Sequence, residues 1–290
     1  LTQVKAPARV CGDTAGMQGT ALLASLPGSA ATRRPVPVAP VTSVFLPKEH
    51  GSWSLALEPL ALGLLVAPTS AGGALTVAAL AGFFARRPFK AFFAPATIRR
   101  REAGQAILIF SALGVAGFSV VLVLGGAAAL WPLLLAAPLG GLFAWFDAQN
   151  GSRAAAAEIA GSAAFALVPA ALATLAGWSP GPALALAALA LTRSVPTVLT
   201  VRSSLRQAKG ESAGFLLPVL AALVAALGIT VLCGLSLVPA WAALPAWVLL
   251  ARTLWFASPS RPSWSARRIG MFEAITGLLC LAAITVAYRG

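Results

Sequence analysis

The chain has 290 residues, of which 59% are hydrophobic and only 10% charged, against about 25% charged in a soluble domain. With a mean hydropathy of +0.86, this composition excludes an ordinary soluble enzyme and points to a multi-pass membrane protein. The net charge of +13 does not indicate nucleic acid as a partner, because the cations gather between apolar runs as loop charges do. The three cysteines, Cys11, Cys233 and Cys280, stand far apart with no CxxC, so neither a thiolate metal site nor a disulfide framework is indicated.

Residues 1–44 are rich in Ala, Pro, Ser and Thr and contain no sustained apolar run, so they are expected to form a disordered N-terminal tail. Residues 45–290 are expected to form a single all-α transmembrane domain. Nine apolar segments follow one another, at about 52–68, 72–87, 104–125, 128–146, 155–176, 182–201, 213–236, 240–257 and 269–288. Each approaches the ~20 residues that cross a ~30 Å hydrocarbon layer, and none alternates with the period of a barrel strand.

The loops alternate in charge. One set carries Lys48, then Arg86 to Arg101, Arg153, Arg202 to Lys209, and Arg261 to Arg268. The other set reads "PTSAGG", "GGAAA", "GWSPGP" and "LSLVPA". Positive charge marks the cytoplasmic face, so the expected topology places the N-terminus inside and the C-terminus outside the cell membrane.

Ionisable groups within apolar spans cost about 2.5–3.5 kcal/mol each on insertion scales and therefore mark functional candidates. Here they are Glu58, Asp147, Glu158, Arg193, Arg252 and Glu273, flanked by His50, Arg86, Arg87, Asn150, Arg153 and Arg202. Most map to the cytoplasmic half, which predicts a cationic cavity opening inward and suited to an anionic ligand. His50, the single histidine, sits in "FLPKEHGSW". His50, Ser54 and Glu58 recur every four residues and so share one helix face, where Glu58 could orient the imidazole. Asp147, Asn150, Arg153 and Glu158 crowd a turn in "FDAQNGSRAAAAEIAG". Arg193 lies deepest in its span, and Pro196, one turn on, could open the helix there. The acids best placed to neutralise Arg193 are Glu58 and Glu158. Each group also has a plainer reading: interfacial anchoring for His50 and the basic loops, snorkelling for Arg153 and Arg252, and Arg–Glu structural bridges for the rest. No Walker loop or HExxH occurs, no metal-ligand set is evident, and no cofactor is indicated.

The stretches "LPKEHGSW", "RRP", "FDAQNGSRAAAAEIAG", "RSVPTVLTVRSSL" and "RIGMFE" resemble the YwiC-like family of bacterial integral membrane proteins. That resemblance implies membrane location and little mechanism. In a remoter likeness, the basic stretches "RRPFKAFFAPATIRRREAGQAIL" and "TRSVPTVLTVRSSLRQAKGESAGFLL" stand where UbiA-type prenyltransferases, which are nine-helix bundles, carry their two diphosphate-binding motifs. This likeness implies a transferase that binds a polyprenyl diphosphate or another anionic lipid-linked substrate. In that reading Arg87, Arg193 and Arg202 clamp phosphate, assisted by Arg86, Asp147, Asn150, Arg153 and Glu158, and His50 with Glu58 serves as acid or base. Magnesium enters only if the UbiA likeness extends to chemistry, and the two Asp-rich motifs of those enzymes are missing here. Competing readings are a transporter of a small anion, with Arg193 as ligand and Glu58 or Glu158 carrying protons, and a non-catalytic scaffold. Membrane lipids are the expected surroundings in all three. The topology is checked by cysteine-accessibility labelling: a cysteine placed at Ser179 should label from the outer side alone.

Overall fold

The computed structural model describes residues 50–93, 100–149, 151–152, 154–258 and 264–290, with side chains described from Trp53 in the first helix. The tail over 1–44 lies outside the described residues. Long apolar runs in a medium without water must satisfy their backbone groups internally, and helices do this within one segment. The result is α1 (His50–Val66), α2 (Ser70–Phe93), α3 (Arg100–Gly125), α4 (Trp131–Ala148), α5 (Ala155–Ala166), α6 (Val168–Leu175), α7 (Pro180–Ala208), α8 (Leu216–Gly234), α9 (Ala243–Ala257) and α10 (Ala266–Arg289). Short 3₁₀ turns, Ala128–Leu130 and Ala240–Ala242, lead into α4 and α9. The described residues contain no strand. Because α5 and α6 run on as one rod, the described residues form nine rods, matching the nine expected spans. Seven are long and apolar enough to cross a membrane; the other two are α1, which is short, and α2, which ends in cations.

The differences from expectation have local causes. α2 continues past the expected end at 87, through Arg86, Arg87, Pro88 and Lys90, so part of the expected basic loop is helix. α7 likewise runs for 29 residues and carries Arg202 and Arg206 on its final turns. The span 155–176 divides at Leu167, just before Pro169, which has no N–H to continue the ladder. Pro196 behaves differently. The expected opening of the helix does not occur: α7 stays helical through Pro196, and the Pro196 carbonyl accepts a 2.7 Å hydrogen bond from the Thr200 hydroxyl.

Lipid tails are as apolar as leucine, so helices in a membrane associate by close packing and small residues favour it. The core follows that rule. Ala183, Leu186, Ala187 and Ala190 of α7 pack with Ala166, Ala170 and Ala173 of α5–α6 and Ala222 and Ala226 of α8. A second cluster joins Leu60 of α1, Leu75 of α2, Val121 of α3 and Leu172 of α6. α3 leans on α2 and exposes Leu108, Val115 and Val123 on its other side, as a lipid-facing helix does. A Cβ on Gly117 would lie 2.8 Å from the Ala74 carbonyl oxygen, so a side chain there must push the α2 and α3 backbones away from each other. Gly117→Leu should therefore destabilise the bundle by about 1–3 kcal/mol, the usual cost of overpacking, read as a lower thermal midpoint in detergent.

Candidate functional site: an aromatic cavity closed by an ion bridge

The cavity lies between α1, α2, α4 and α5 and has a volume of about 1000 Å³. Its walls are helical stripes. α2 contributes Ala79, Gly82, Phe83, Arg86, Phe89, Lys90 and Phe93, spaced by three or four residues as one face requires. α4 contributes Gly140, Phe143, Ala144 and Asp147, and α5 contributes Glu158, Gly161, Ser162 and Phe165. Most of this surface is aromatic or small and apolar, with the charges at one end.

There Arg86 donates from Nε to Asp147 Oδ2 at 3.0 Å and from Nη2 to Oδ1 at 2.6 Å. Lys90, one turn along α2, places Nζ 2.6 Å from the same Oδ1. A planar guanidinium gripping both carboxylate oxygens is the strong, geometrically specific form of an ion pair. The Arg86 guanidinium also lies 4.7 Å from the centre of the Phe143 ring. Phe143 is itself seated against Gly161, where an added Cβ would meet the ring at 2.9 Å. Glu158 accepts from Arg202 Nη1 at 2.7 Å, with each side chain 34% exposed. Within these ion pairs, Arg86, Lys90 and Arg202 outnumber Asp147 and Glu158 by one charge.

Apart from that bridge, α2 and α4 make no extended packing contact among the described residues, so the cavity continues as a slot between them. Lining residues Gly82, Phe89, Phe93 and Ala144 are exposed, and Phe93 reaches 72%. A Cβ added to Gly82 or Gly140 would touch nothing within 4 Å, so both glycines border open space.

A second charged group is separate from this cavity. Glu58 of α1, Arg193 of α7, Arg252 of α9 and Glu273 of α10 meet in this group, and Glu58 and Arg193 also line a small void of about 20 Å³. Arg193 Nε lies 3.2 Å from Glu58 Oε2, and Arg193 Nη2 donates to the Glu273 backbone carbonyl at 2.7 Å. Arg252 Nη1 bonds Glu273 Oε2, which also lies 3.5 Å from Arg193 Nη1. Arg193 donates to the Thr197 hydroxyl as well. A Cβ on Gly277 would fall on the Glu58 carboxylate and close to the Arg193 guanidinium, so glycine there lets the pair meet. Two cations and two anions leave the group neutral.

The structure thus distributes the sequence candidates over two places. Arg86, Asp147 and Glu158 line the cavity; Glu58 and Arg193 sit in the buried group, within the reach expected of them. Glu158 does not neutralise Arg193, because it pairs with Arg202. The expectation that Arg252 snorkels is overturned: it is 6% exposed and bound to Glu273. None of Arg87, Arg193 and Arg202 lines the cavity. The His50 side chain, Asn150 and Arg153 lie outside the described residues. Lys90 reads as a loop charge in the sequence; the signal for its role is the four-residue spacing from Arg86.

Residues 46–173 match the model of the family described as YwiC-like protein. The matched stretch contains every residue that lines the cavity, and of the buried group it contains Glu58 alone. No curated protein and no solved structure matches the chain.

The two charged groups should respond differently to mutation. Glu273→Ala strands Arg193 and Arg252 and should cost about 3–5 kcal/mol. Arg202→Ala breaks a partly solvated pair and should cost no more than ~1 kcal/mol. Thermal unfolding in detergent should therefore show a large drop for the first and a small one for the second.

Proposed function

We propose that this chain is a YwiC-like multi-pass protein of the bacterial inner membrane whose cavity binds an anionic, lipid-linked ligand from the cytoplasmic side. The observation that carries this reading is the joining of an apolar, phenylalanine-rich chamber to the Arg86–Lys90 pair, with a slot between α2 and α4 beside it. A mostly apolar concavity with a few convergent polar groups is the usual form of a small-molecule site. The phenylalanines and glycines suit a hydrocarbon tail, the cations suit a carboxylate or phosphate head, and the slot gives a membrane-embedded tail a way in.

The enzymatic form of this reading is a UbiA-like transferase acting on a polyprenyl diphosphate. Magnesium does not fit the described lining well. Its carboxylates, Asp147 and Glu158, are already held by Arg86, Lys90 and Arg202, and no group of three His, Cys, Asp or Glu able to hold a metal occurs among the described residues. In this reading the head is therefore held by Arg86 and Lys90, and no step is routed through a metal. Transport of a small anion is the second reading, favoured by the buried Arg193–Glu58 pair.

Native mass spectrometry of the detergent-purified protein separates these readings. A lipid-linked anion should co-purify with the wild type and be lost from an Arg86→Ala, Lys90→Ala variant. Gly140→Phe should also lose it, because Gly140 lines the cavity, an added Cβ there meets nothing within 4 Å, and a bulky side chain competes with the tail for that space. Absence of a bound lipid anion from the wild type, together with small-anion uptake by proteoliposomes that Arg193→Ala abolishes, would favour transport instead.

A further inference from the structure

The bridge at the cavity end has the form of a filled binding seat. The Arg86 fork takes both oxygens of one carboxylate, the Lys90 ammonium adds a third contact, and the ring of Phe143 backs the guanidinium. Fork, point charge and aromatic backing are what an external carboxylate or phosphate would meet. The occupant is the protein's own Asp147, whose side chain is only 10% exposed. The two cations remain 30% and 38% exposed, so they can be approached from the cavity.

We infer that Asp147 is a resident occupant of the head-group seat, displaced when ligand binds, and that its competition sets one common affinity threshold, which a doubly charged phosphate head passes more readily than a singly charged one. The inference rests on the reading of the cavity as a lipid-anion site. Asp147 is tethered beside its partners, so it competes at a local concentration that a free ligand does not reach. A singly charged head offers Arg86 and Lys90 no more charge than the carboxylate already there. A phosphate monoester, with a second pKa of about 6, offers close to two charges above neutral pH. Asp147 is the last residue but one of α4, so on release its side chain can turn to the aqueous end of the helix. Release also removes the bridge between α2 and α4, so seating the head loosens the slot through which the tail passes.

Competition has a signature that other roles lack. Removing a competitor raises the affinity of every ligand by the same factor. Removing a fixed repulsive charge raises the affinity of a dianion more than that of a monoanion. Removing a supporting residue lowers both.

The test uses the full chain in detergent at pH 8, with binding measured by isothermal titration calorimetry. The probes share a twelve-carbon tail: dodecyl phosphate, its monomethyl ester and dodecanoate. Wild type should bind the dianionic dodecyl phosphate at least tenfold more tightly than either monoanion. Asp147→Asn should tighten all three by one common factor of about tenfold or more. If the amide variant does not fold, Asp147→Ser serves the same comparison, and the wild-type ranking stands without any variant. No change, a larger gain for the dianion, or a loss for all three in Asp147→Asn would overturn the displacement, and equal wild-type affinities would overturn the preference for the doubly charged head. If affinity is nevertheless abolished by Arg86→Ala with Lys90→Ala, the cavity reading survives that failure. Wild-type binding that is absent or indifferent to those two substitutions would sink both.

Discussion

The bundle depends on the neutralisation of Arg193 and Arg252 by Glu273 and Glu58. An unpaired charge in the apolar interior costs several kcal/mol, and removal of one member of a buried pair is strongly destabilising. These four residues come from α1, α7, α9 and α10, so their pairing dictates which helices must be neighbours and at what depth. Alanine-rich packing around α7 lets the backbones come close, but alanines pack in many registers. A guanidinium that must reach both a backbone carbonyl and a carboxylate accepts few.

The two charged groups follow the same electrostatics with opposite results. In the buried group the charges balance, the adjoining void is only about 20 Å³, and each ion-pair partner is held from another helix. At the cavity end the cations are in excess, partly exposed, and open onto a chamber large enough for an amphiphile. The same residue types thus serve cohesion in one place and recognition in the other, and what separates them is charge balance and room. Glycine assists both. Gly277 removes bulk so that Glu58 and Arg193 can meet, and Gly82 and Gly140 leave space that nothing fills.

Much of the architecture was legible in the sequence because span length is a direct physical requirement of the bilayer. The nine expected segments lie within a few residues of the observed rods wherever the boundary is apolar. They fail where basic residues continue a helix into water, at the ends of α2 and α7, since hydropathy ends a span where the polymer need not. Of the ion pairs, Glu58 with Arg193 was legible, because both are too costly to leave facing lipid. The partner of Glu158 was not, since it depends on how far α7 extends past the apolar run to present Arg202. Arg252 misled for a related reason: its place near the end of α9 is compatible with snorkelling, and only the facing Glu273 on α10 holds it inside. Lys90 was hidden behind Pro88, which suggests a stop to a reader of sequence yet lies buried within a continuous helix.

The distance along the chain between Glu58 and Arg193 has a consequence for how the protein is made. The two are 135 residues apart. At about 5–20 residues per second, translation delivers Arg193 roughly seven to thirty seconds after Glu58 has left the ribosome. Through that interval a carboxylate is committed to a short helix with no cation of its own. α1 therefore gains its full stability in the bilayer only when α7 arrives. The first described span to be synthesised is among the last to be secured, and the matched segment, residues 46–173, awaits the remainder of the chain to fasten its opening helix.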